Sequence, residues 1–166
     1  NTGEGSHLDF MYTLKPDDYM LQFSIKGTGL NGVLSPGTTA LDLLWQQKII
    51  QQEKGRKFED RYATVYYKFM ADDVEYLSET KNDSKQLSNR LKWVAYKDMY
   101  FSSILIAGNE EFESTTIDSK MLPEDGSFLK EYKTTTSVPF DLKGNEGDGY
   151  AFLFWSQSVL SVEILR

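Results

Sequence analysis

The residues that most often carry out acid–base or nucleophilic chemistry are scarce in this sequence. It contains one histidine, His7, and no cysteine, which excludes thiolate nucleophiles, disulfides and cysteine-based metal sites. A hydrolytic triad requires a base of near-neutral pKa beside its nucleophile, whereas a histidine at the start of a terminal strand is more often simply exposed. Zinc would have to be bound by carboxylates alone, which suit it poorly. We therefore predict no catalytic residue, no metal site and no cofactor.

Paired carboxylates can act as acid and base when their environments separate their pKa values. The three pairs in the sequence are Asp17-Asp18, Asp72-Asp73 and Glu110-Glu111. All three lie between predicted strands, where turn formation and solvation explain them. The segment 144–149, GNEGDG, lacks the ligand spacing of a calcium loop and a following helix that could bind a phosphate. It is predicted to be a flexible hairpin loop.

A nearly neutral polar block lies between residues 51 and 63, where basic and acidic residues are interleaved. Arginine forms two parallel hydrogen bonds with a carboxylate, so this block could tie two loops together or clamp a carboxylate ligand. Internal tethering, by pairing of the arginines with Glu53 or Glu59, is the favoured interpretation. The candidate residues of this polar tether or ligand clamp are Glu53, Arg56, Glu59 and Arg61.

Six aromatic residues on predicted strands or at their ends could line a sugar-binding cleft or fill a core. Aromatic side chains on strands of period two are usually core residues, because they bury large apolar areas. The predicted core aromatics are Trp45, Tyr66, Tyr67, Trp93, Tyr100 and Phe101.

The composition is that of one folded domain covering residues 1–166, with 40% apolar and 14% aromatic residues. The net charge of -7 and the pI near 4.8 argue against nucleic acid or an anionic lipid surface as the main partner, because both attract clustered lysine and arginine. No apolar run is long enough to span a bilayer. The polar, acidic amino terminus does not resemble a signal peptide, so the sequence is interpreted as a piece of a longer protein.

Alternation of apolar and polar residues, bounded by Gly, Pro, Asn and Asp, predicts mostly β-strands. Residues 7–14 and 19–26 are predicted to form a hairpin, and 78–88 a charged loop. Residues 40–52 also fit a helical stripe, but the alternation of Leu41, Leu43 and Trp45 favours a strand. Further strands are predicted at 61–70, 74–77, 91–96, 99–106, 111–117 and 129–138. The predicted fold is an all-β antiparallel sandwich with at most one or two short helical turns.

Three segments carry a resemblance to a known family: YTLKPDDYMLQFSI (12–25), QQEKGRKFEDRYA (51–63) and RLKWVAYKDMYFSSILIA (90–107). In order and in content they resemble the large periplasmic domain of YidC-type membrane protein insertases, in the form found in Bacteroidetes-type bacteria. The likeness runs from about Leu8 to Asp141, and none of its motifs is catalytic. It implies a twisted β-supersandwich similar to galactose mutarotase.

The resemblance also implies a location and a function. The domain would lie on the periplasmic side of the inner membrane, tethered in the full-length protein, and would assist insertion and folding of membrane proteins by docking or spacing. Its implied partners are the membrane-embedded part of the same insertase, other translocon subunits and nascent membrane proteins. The alternative function is that of a carbohydrate-binding or mutarotase-like carbohydrate-active β-sandwich protein.

The sequence departs from the family pattern at both ends. It corresponds to the carboxyl-terminal portion of the periplasmic domain, so we expect a truncated fragment whose exposed sheet edges favour self-association. After SVPFDLKGNEGDG (137–149) the family continues with a strand resembling FYFGPNQY, whereas this chain reads FLFWSQSV (152–159). One nucleotide string, TTTTTATTTTGGTCCCAATCAGTAC, encodes both in adjacent frames. The tail 150–166 is therefore hypothesised to be a frameshifted product without a function of its own.

Overall fold

The structure is a computed structural model that describes residues 5–18, 20–71, 73–108, 111–142, 150–155 and 160–165. Within these residues the chain forms twelve strands and one short helix, α1 (Arg56–Asp60). In chain order the strands are β1 (His7–Thr13), β2 (Met20–Thr28), β3 (Ala40–Ile50), β4 (Thr64–Phe69), β5 (Val74–Tyr76), β6 (Asp83–Leu87), β7 (Leu91–Lys97), β8 (Ser102–Ile106), β9 (Glu113–Met121), β10 (Phe128–Pro139), β11 (Tyr150–Trp155) and β12 (Leu160–Leu165). No helix in the described part of the chain is long and apolar enough to cross a membrane.

The strands form two antiparallel sheets. One has seven strands in the order β1-β2-β11-β8-β7-β4-β5, and the other has five in the order β12-β3-β10-β9-β6. Every neighbouring pair of strands is antiparallel. The structure thus confirms the predicted all-β fold with almost no helix.

The hairpin of β1 and β2 illustrates how local sequence sets the register. Asp17 adopts a positive φ of 59°, a left-handed conformation that Asp tolerates better than most residues. The carboxylate of Asp18 accepts a hydrogen bond from the N–H of Met20 at 3.0 Å. The turn aligns Tyr12 with Phe23, whose ring centroids are 5.0 Å apart. The first carboxylate pair is therefore part of a turn, as predicted.

The core lies between the facing sheets, because each strand directs alternate side chains inward. The largest fully buried apolar and aromatic side chains are Trp45, Tyr67, Tyr96, Tyr132, Phe23, Phe112, Leu43, Ile49, Leu77 and Leu91. The ambiguous stretch 40–52 is the strand β3 and contributes Leu43, Trp45 and Ile49 to this core. The short helix α1 lies within the polar block 51–63 and agrees with the prediction of at most one or two short helical turns.

Four of the six predicted core aromatics lie outside the fully buried core. Trp45 and Tyr67 are fully buried, whereas Tyr66, Trp93 and Phe101 are half-buried and Tyr100 is 50% exposed. Trp93 lies on the outer face because it alternates with the buried Val94 and Tyr96. A register shift in the pairing of β4 with β7, between Trp93 and Leu91, then turns Leu91 into the core.

Two further sequence expectations need correction. Residues 83–87, within the predicted charged loop 78–88, form β6 and pair with β9. The strand predicted at 61–70 is shorter in the structure, where β4 covers Thr64–Phe69 and only Val65, Tyr67 and Phe69 of its apolar and aromatic residues point into the core. The flanking residues Tyr62 and Met70 are 45% and 48% exposed.

Candidate functional site

The side chain of Arg56 connects α1 with the hairpin of β9 and β10. Its Nη2 donates to three backbone carbonyls, those of Leu122 at 2.8 Å, Phe128 at 3.0 Å and Leu129 at 3.2 Å. Its Nε lies 3.9 Å from a carboxylate oxygen of Asp60, one turn later in the helix. Arg56 therefore bonds to carbonyls and to Asp60, rather than pairing with Glu53 or Glu59 as the sequence suggested.

Glu59 lies on the same helical turn as Arg56, but it accepts hydrogen bonds where Arg56 donates them. The residue is fully buried. Its Oε1 and Oε2 accept the N–H of Gln52 at 2.9 and 3.1 Å, and Oε2 also accepts the N–H of Glu53 at 3.0 Å. These backbone groups follow β3, so the carboxylate secures the segment that joins β3 to α1.

Lys130 of β10 completes a polar cluster that we define as Arg56, Glu59, Asp60 and Lys130. The lysine is fully buried, and its Nζ donates to the carbonyls of Asp60 at 2.7 Å, Ala63 at 2.5 Å and Glu79 at 2.6 Å. Burial lowers the pKa of Lys130 from 10.5 to about 8, although the charges of Asp60 and Glu79 act in the opposite direction. Burial likewise raises the pKa of Asp60, partly offset by Lys130 and Arg56.

Sequence reasoning missed Lys130, although a signal for it was present. In β10 the buried residues Tyr132, Thr134 and Thr136 follow Lys130 at every second position. A lysine in phase with core residues must direct its amine to partners inside the protein. Here those partners are carbonyls at the end of α1 and in the loop that precedes β6.

Glu53 and Arg61 lie outside this cluster. Glu53 accepts a short hydrogen bond from the hydroxyl of Tyr100, and this bond raises the pKa of the tyrosine. Arg61 is exposed. The four residues predicted as one tether or clamp are thus divided between a buried pair, Arg56 and Glu59, and a surface pair.

A second polar connection joins the two sheets. The hydroxyl of Tyr67 donates to Glu75 at 2.6 Å and accepts a hydrogen bond from Nζ of Lys85 at 2.8 Å. Burial, and then the bond to Glu75, raise the pKa of Tyr67, while the bond to Tyr67 raises the pKa of Lys85. A tyrosine and a lysine shifted in this direction are neither a nucleophile nor a base at neutral pH.

The remaining candidates for chemistry are dispersed. The side chain of His7 is 46% exposed and contacts Asp9, with Nε2 3.3 Å from Oδ2. Asp72, Glu110 and the segment 144–149 lie outside the described residues, as do the side chains of the tail 150–166. Among the residues that the structure describes, no three His, Cys, Asp or Glu side chains are grouped closely enough to hold a metal ion.

The aromatic residues proposed for a sugar cleft do not face a common space, because Trp45 and Tyr67 point between the sheets and Tyr100 points to solvent. Cavities in the described part of the chain include two whose lining residues are mostly polar. One, of about 490 Å³, includes Arg90, whose Nε lies 2.9 Å from a carboxylate oxygen of Glu113. The other, of about 410 Å³, lies along β6, β9 and β10 and is lined by Asn82, Asp83, Ser84, Asp118, Ser119, Lys120, Glu131 and Lys133.

Comparison with known proteins assigns the fold to a family. Residues 1–151 match the family described as YidC periplasmic domain. Three relatives, each named membrane protein insertase YidC, come from Parabacteroides distasonis (70% identical over 93% of this chain), Azobacteroides pseudotrichonymphae (46% over 93%) and Bacteroides fragilis (43% over 90%). The chain spans about a quarter of the length of these relatives, 24%, 25% and 24% respectively. By this match and these identities, the chain belongs to the family of YidC periplasmic domains.

Proposed function

We propose that this chain is the non-catalytic periplasmic part of a membrane protein insertase, which assists insertion and folding of inner-membrane proteins by docking or spacing. The observation that carries the proposal is the relative from Parabacteroides distasonis, a membrane protein insertase that is 70% identical over 93% of this chain. A domain of this family is expected on the periplasmic side of the inner membrane and tethered to it in the full-length protein.

The chemistry of the polar groups supports a non-catalytic role. The buried ionisable groups Lys130, Glu59 and Arg56 direct their hydrogen bonds to the backbone of the domain itself. Groups that serve a reaction need access to a substrate and a pKa near the working pH. These three instead hold α1, β3 and β10 together, which suits a rigid spacer.

The edges of the seven-stranded sheet support docking. All three residues of the edge strand β5 are exposed, and the opposite edge strand β1 exposes Phe10 by 40% and Tyr12 by 53%. Unpaired edges and exposed rings can accept a strand or an apolar surface of another chain. The proposed partners are the membrane-embedded part of the same insertase, other translocon subunits, nascent membrane proteins and a second copy of this domain.

The test replaces this domain in a full-length insertase by a flexible linker of similar span. Insertion of a membrane protein is measured by protease protection, and proteins that copurify with the insertase are identified by mass spectrometry. We expect insertion to persist and one or more copurifying proteins to be lost. Loss of insertion with unchanged copurification would contradict the proposal, since the domain would then act in insertion itself.

A carbohydrate-binding function remains the second candidate, and the cavity along β6, β9 and β10 is the observation that favours it. Hydroxyl, amide, carboxylate and ammonium groups line this cavity, and such groups can bond to sugar hydroxyls. Titration calorimetry with common mono- and disaccharides tests this alternative. Saturable heats that disappear in Asp118→Ala would support it, and the absence of heats would remove it.

A further inference from the structure

The outer side of α1 has an unusual polarity for a surface helical turn. Such turns normally bury apolar residues and expose polar ones. Here the side facing the protein carries Arg56 and the fully buried Glu59, while Phe58 and Tyr62 are 54% and 45% exposed. The apolar rings therefore contribute little to the core, and their exposure needs another explanation.

These rings belong to a larger surface that includes the corner between β7 and β8. The rings of Phe58 and Tyr62 contact each other, with centroids 5.0 Å apart. Nζ of Lys97 lies 5.9 Å from the ring of Tyr62 and donates to the carbonyl of that residue at 2.9 Å. Tyr100 is joined to the block before α1 through its bond to Glu53. We define the aromatic–basic patch as Phe58, Tyr62, Tyr100, Lys54, Lys57, Arg61 and Lys97.

The patch is held in a fixed conformation. The carboxylate of Asp98 is buried and accepts the N–H of Tyr100 at 2.7 Å and the N–H of Phe101, which fixes the corner between β7 and β8. On the other side, Arg56 and Glu59 fix α1 against the hairpin and the end of β3. A preformed surface loses little conformational entropy on binding.

The charge of the patch differs in sign from that of the whole chain. Lys54, Lys57 and Arg61 are exposed, and no ion pair involves them among the described residues. The nearest carboxylates are Glu59, which is buried under backbone N–H groups, and Glu53, which is exposed, is bonded to Tyr100 and offsets one of the cations. A further carboxylate, Glu124, is close enough to Asp60 to raise its pKa, on the side of α1 that faces the protein.

The aromatic–basic patch lies near the end of β11. The last residue of β11, Trp155, pairs with Ser102 at the start of β8. β11 therefore ends beside the corner that carries Tyr100 and Phe101, whereas β12 runs along β3 from Gln47 to Asp42, away from α1.

We infer that the aromatic–basic patch is a membrane-contact surface, which places its cations against anionic lipid headgroups and its rings at the level of the headgroups. Aromatic rings and lysine or arginine side chains together are typical of protein surfaces at a membrane interface. The inference deepens the proposed function, because a domain tethered to a membrane can present this end to the lipid. It also qualifies the expectation drawn from the net charge of -7, since an average over the chain conceals a local basic surface.

The experiment measures partition of the 166-residue chain onto sedimented vesicles of phosphatidylglycerol mixed with phosphatidylethanolamine, with vesicles of phosphatidylcholine alone for comparison. We expect partition onto the anionic vesicles to weaken as salt is raised. In Lys57→Glu/Arg61→Glu the partition coefficient should fall at least about tenfold. Phe58→Ser/Tyr62→Ser should lower it on both kinds of vesicle, because apolar contact with lipid is lost.

Two control variants match these changes at other places on the surface. Lys120→Glu/Lys133→Glu changes the net charge by the same amount as the charge-reversed patch variant, but on the five-stranded sheet. Tyr76→Ser removes a ring that is 57% exposed. Both control variants should keep the partition coefficient within about twofold of the parent value. Thermal melting of each variant shows that it is folded.

The inference is overturned if the chain does not partition onto anionic vesicles, or if the control variants weaken partition as much as the patch variants do. It is also overturned if patch variants in the full-length insertase lose a copurifying protein while vesicle binding is unchanged, because the occupant would then be a protein. The last result would leave the proposed docking function intact. Linker replacement of the whole domain tests that function separately.

Discussion

The ring of Tyr96 stacks on the indole of Trp45 across the interface between the two sheets, with centroids 3.8 Å apart and planes inclined by 10°. The hydroxyl of Tyr96 lies 3.0 Å from the carbonyl oxygen of Trp45 and 2.7 Å from the hydroxyl of Thr134. One residue of β7 thus bonds to two neighbouring strands of the other sheet, β3 and β10. This contact therefore connects the two layers directly.

Truncation of Trp45 should be far more costly than truncation of Trp93. Trp45→Ala removes a fully buried indole and should lower the free energy of unfolding by roughly 3–5 kcal/mol. Trp93→Ala, on the half-buried outer face, should lower it by about half as much or less. Urea unfolding followed by circular dichroism measures both values. Equal losses would contradict the assigned register of β7.

Removal of the Tyr96 hydroxyl should remove one hydrogen bond from each of two buried polar groups. Tyr96→Phe keeps the stacked ring but leaves the Trp45 carbonyl and the Thr134 hydroxyl without this partner, at a cost of roughly 1–3 kcal/mol. Tyr100→Phe is the control, because its hydroxyl is bonded at the surface and its loss should cost no more than about 0.5 kcal/mol. Chemical denaturation that finds the two variants equally stable would refute the bridging role of Tyr96.

The two arginines of the polar block should differ in their contribution to stability. Arg56→Met removes the donor to three carbonyls and should destabilise the protein by roughly 1.5–3 kcal/mol. Arg61→Met changes an exposed side chain and should stay within about 0.5 kcal/mol of the parent. Thermal melting of both variants tests this prediction. A large loss of stability in Arg61→Met would support the predicted four-residue tether.

Lys130 should give the stability a distinctive pH dependence. Its pKa is about 8 in the folded state against 10.5 ordinarily, so between these values the unfolded chain binds more protons than the folded one. The free energy of unfolding should therefore rise with pH from about 8 upward relative to that of Lys130→Met. The window ends near pH 10, where tyrosines ionise in the unfolded chain while burial keeps Tyr96 and Tyr132 protonated.

Urea unfolding at several pH values between 7 and about 10 tests this prediction. Lys133→Met, three residues further along the same strand and exposed, is the control and should follow the parent protein. Curves for the parent and for Lys130→Met that run parallel over the whole range would show that the amine keeps its ordinary pKa when buried.

The alternation of apolar and polar residues was sufficient to predict most of the strands. Phe23 and Ile25 in β2, or Leu43 and Trp45 in β3, alternate so clearly that both strands could be located without a structure. The strand β6 was missed because only Leu87 in it is apolar, so its alternation has almost no hydrophobic amplitude. The face of Trp93 was wrong because a register shift places Leu91 and Trp93 on opposite faces of β7, although they are two residues apart. Such shifts depend on the partner strand, which local sequence does not specify.

Two members of the polar cluster, Arg56 and Glu59, were candidates in the sequence, but their connections were not predictable. Arg56 and Glu59 belong to one conspicuous block of the sequence, whereas their partners include carbonyls at residues 122, 128 and 129. Backbone carbonyls occur at every residue, so sequence alone cannot indicate which of them a buried cation will reach. The hypothesis of a frameshifted tail stays a prediction, which sequencing of the gene around the codons for 150–152 tests.

The placement of β11 has a consequence for the order of folding. Among the strands that the structure describes, the hairpin of β1 and β2 joins the rest of its sheet only through β11, so about 120 residues separate the two members of that ladder along the chain. During synthesis the amino-terminal hairpin emerges first, yet the edge of β2 that pairs with β11 has no partner strand until nearly all of the domain has left the ribosome. Completion of the larger sheet is therefore a late event, and the hairpin is the segment most exposed to chaperones and proteases in the interval.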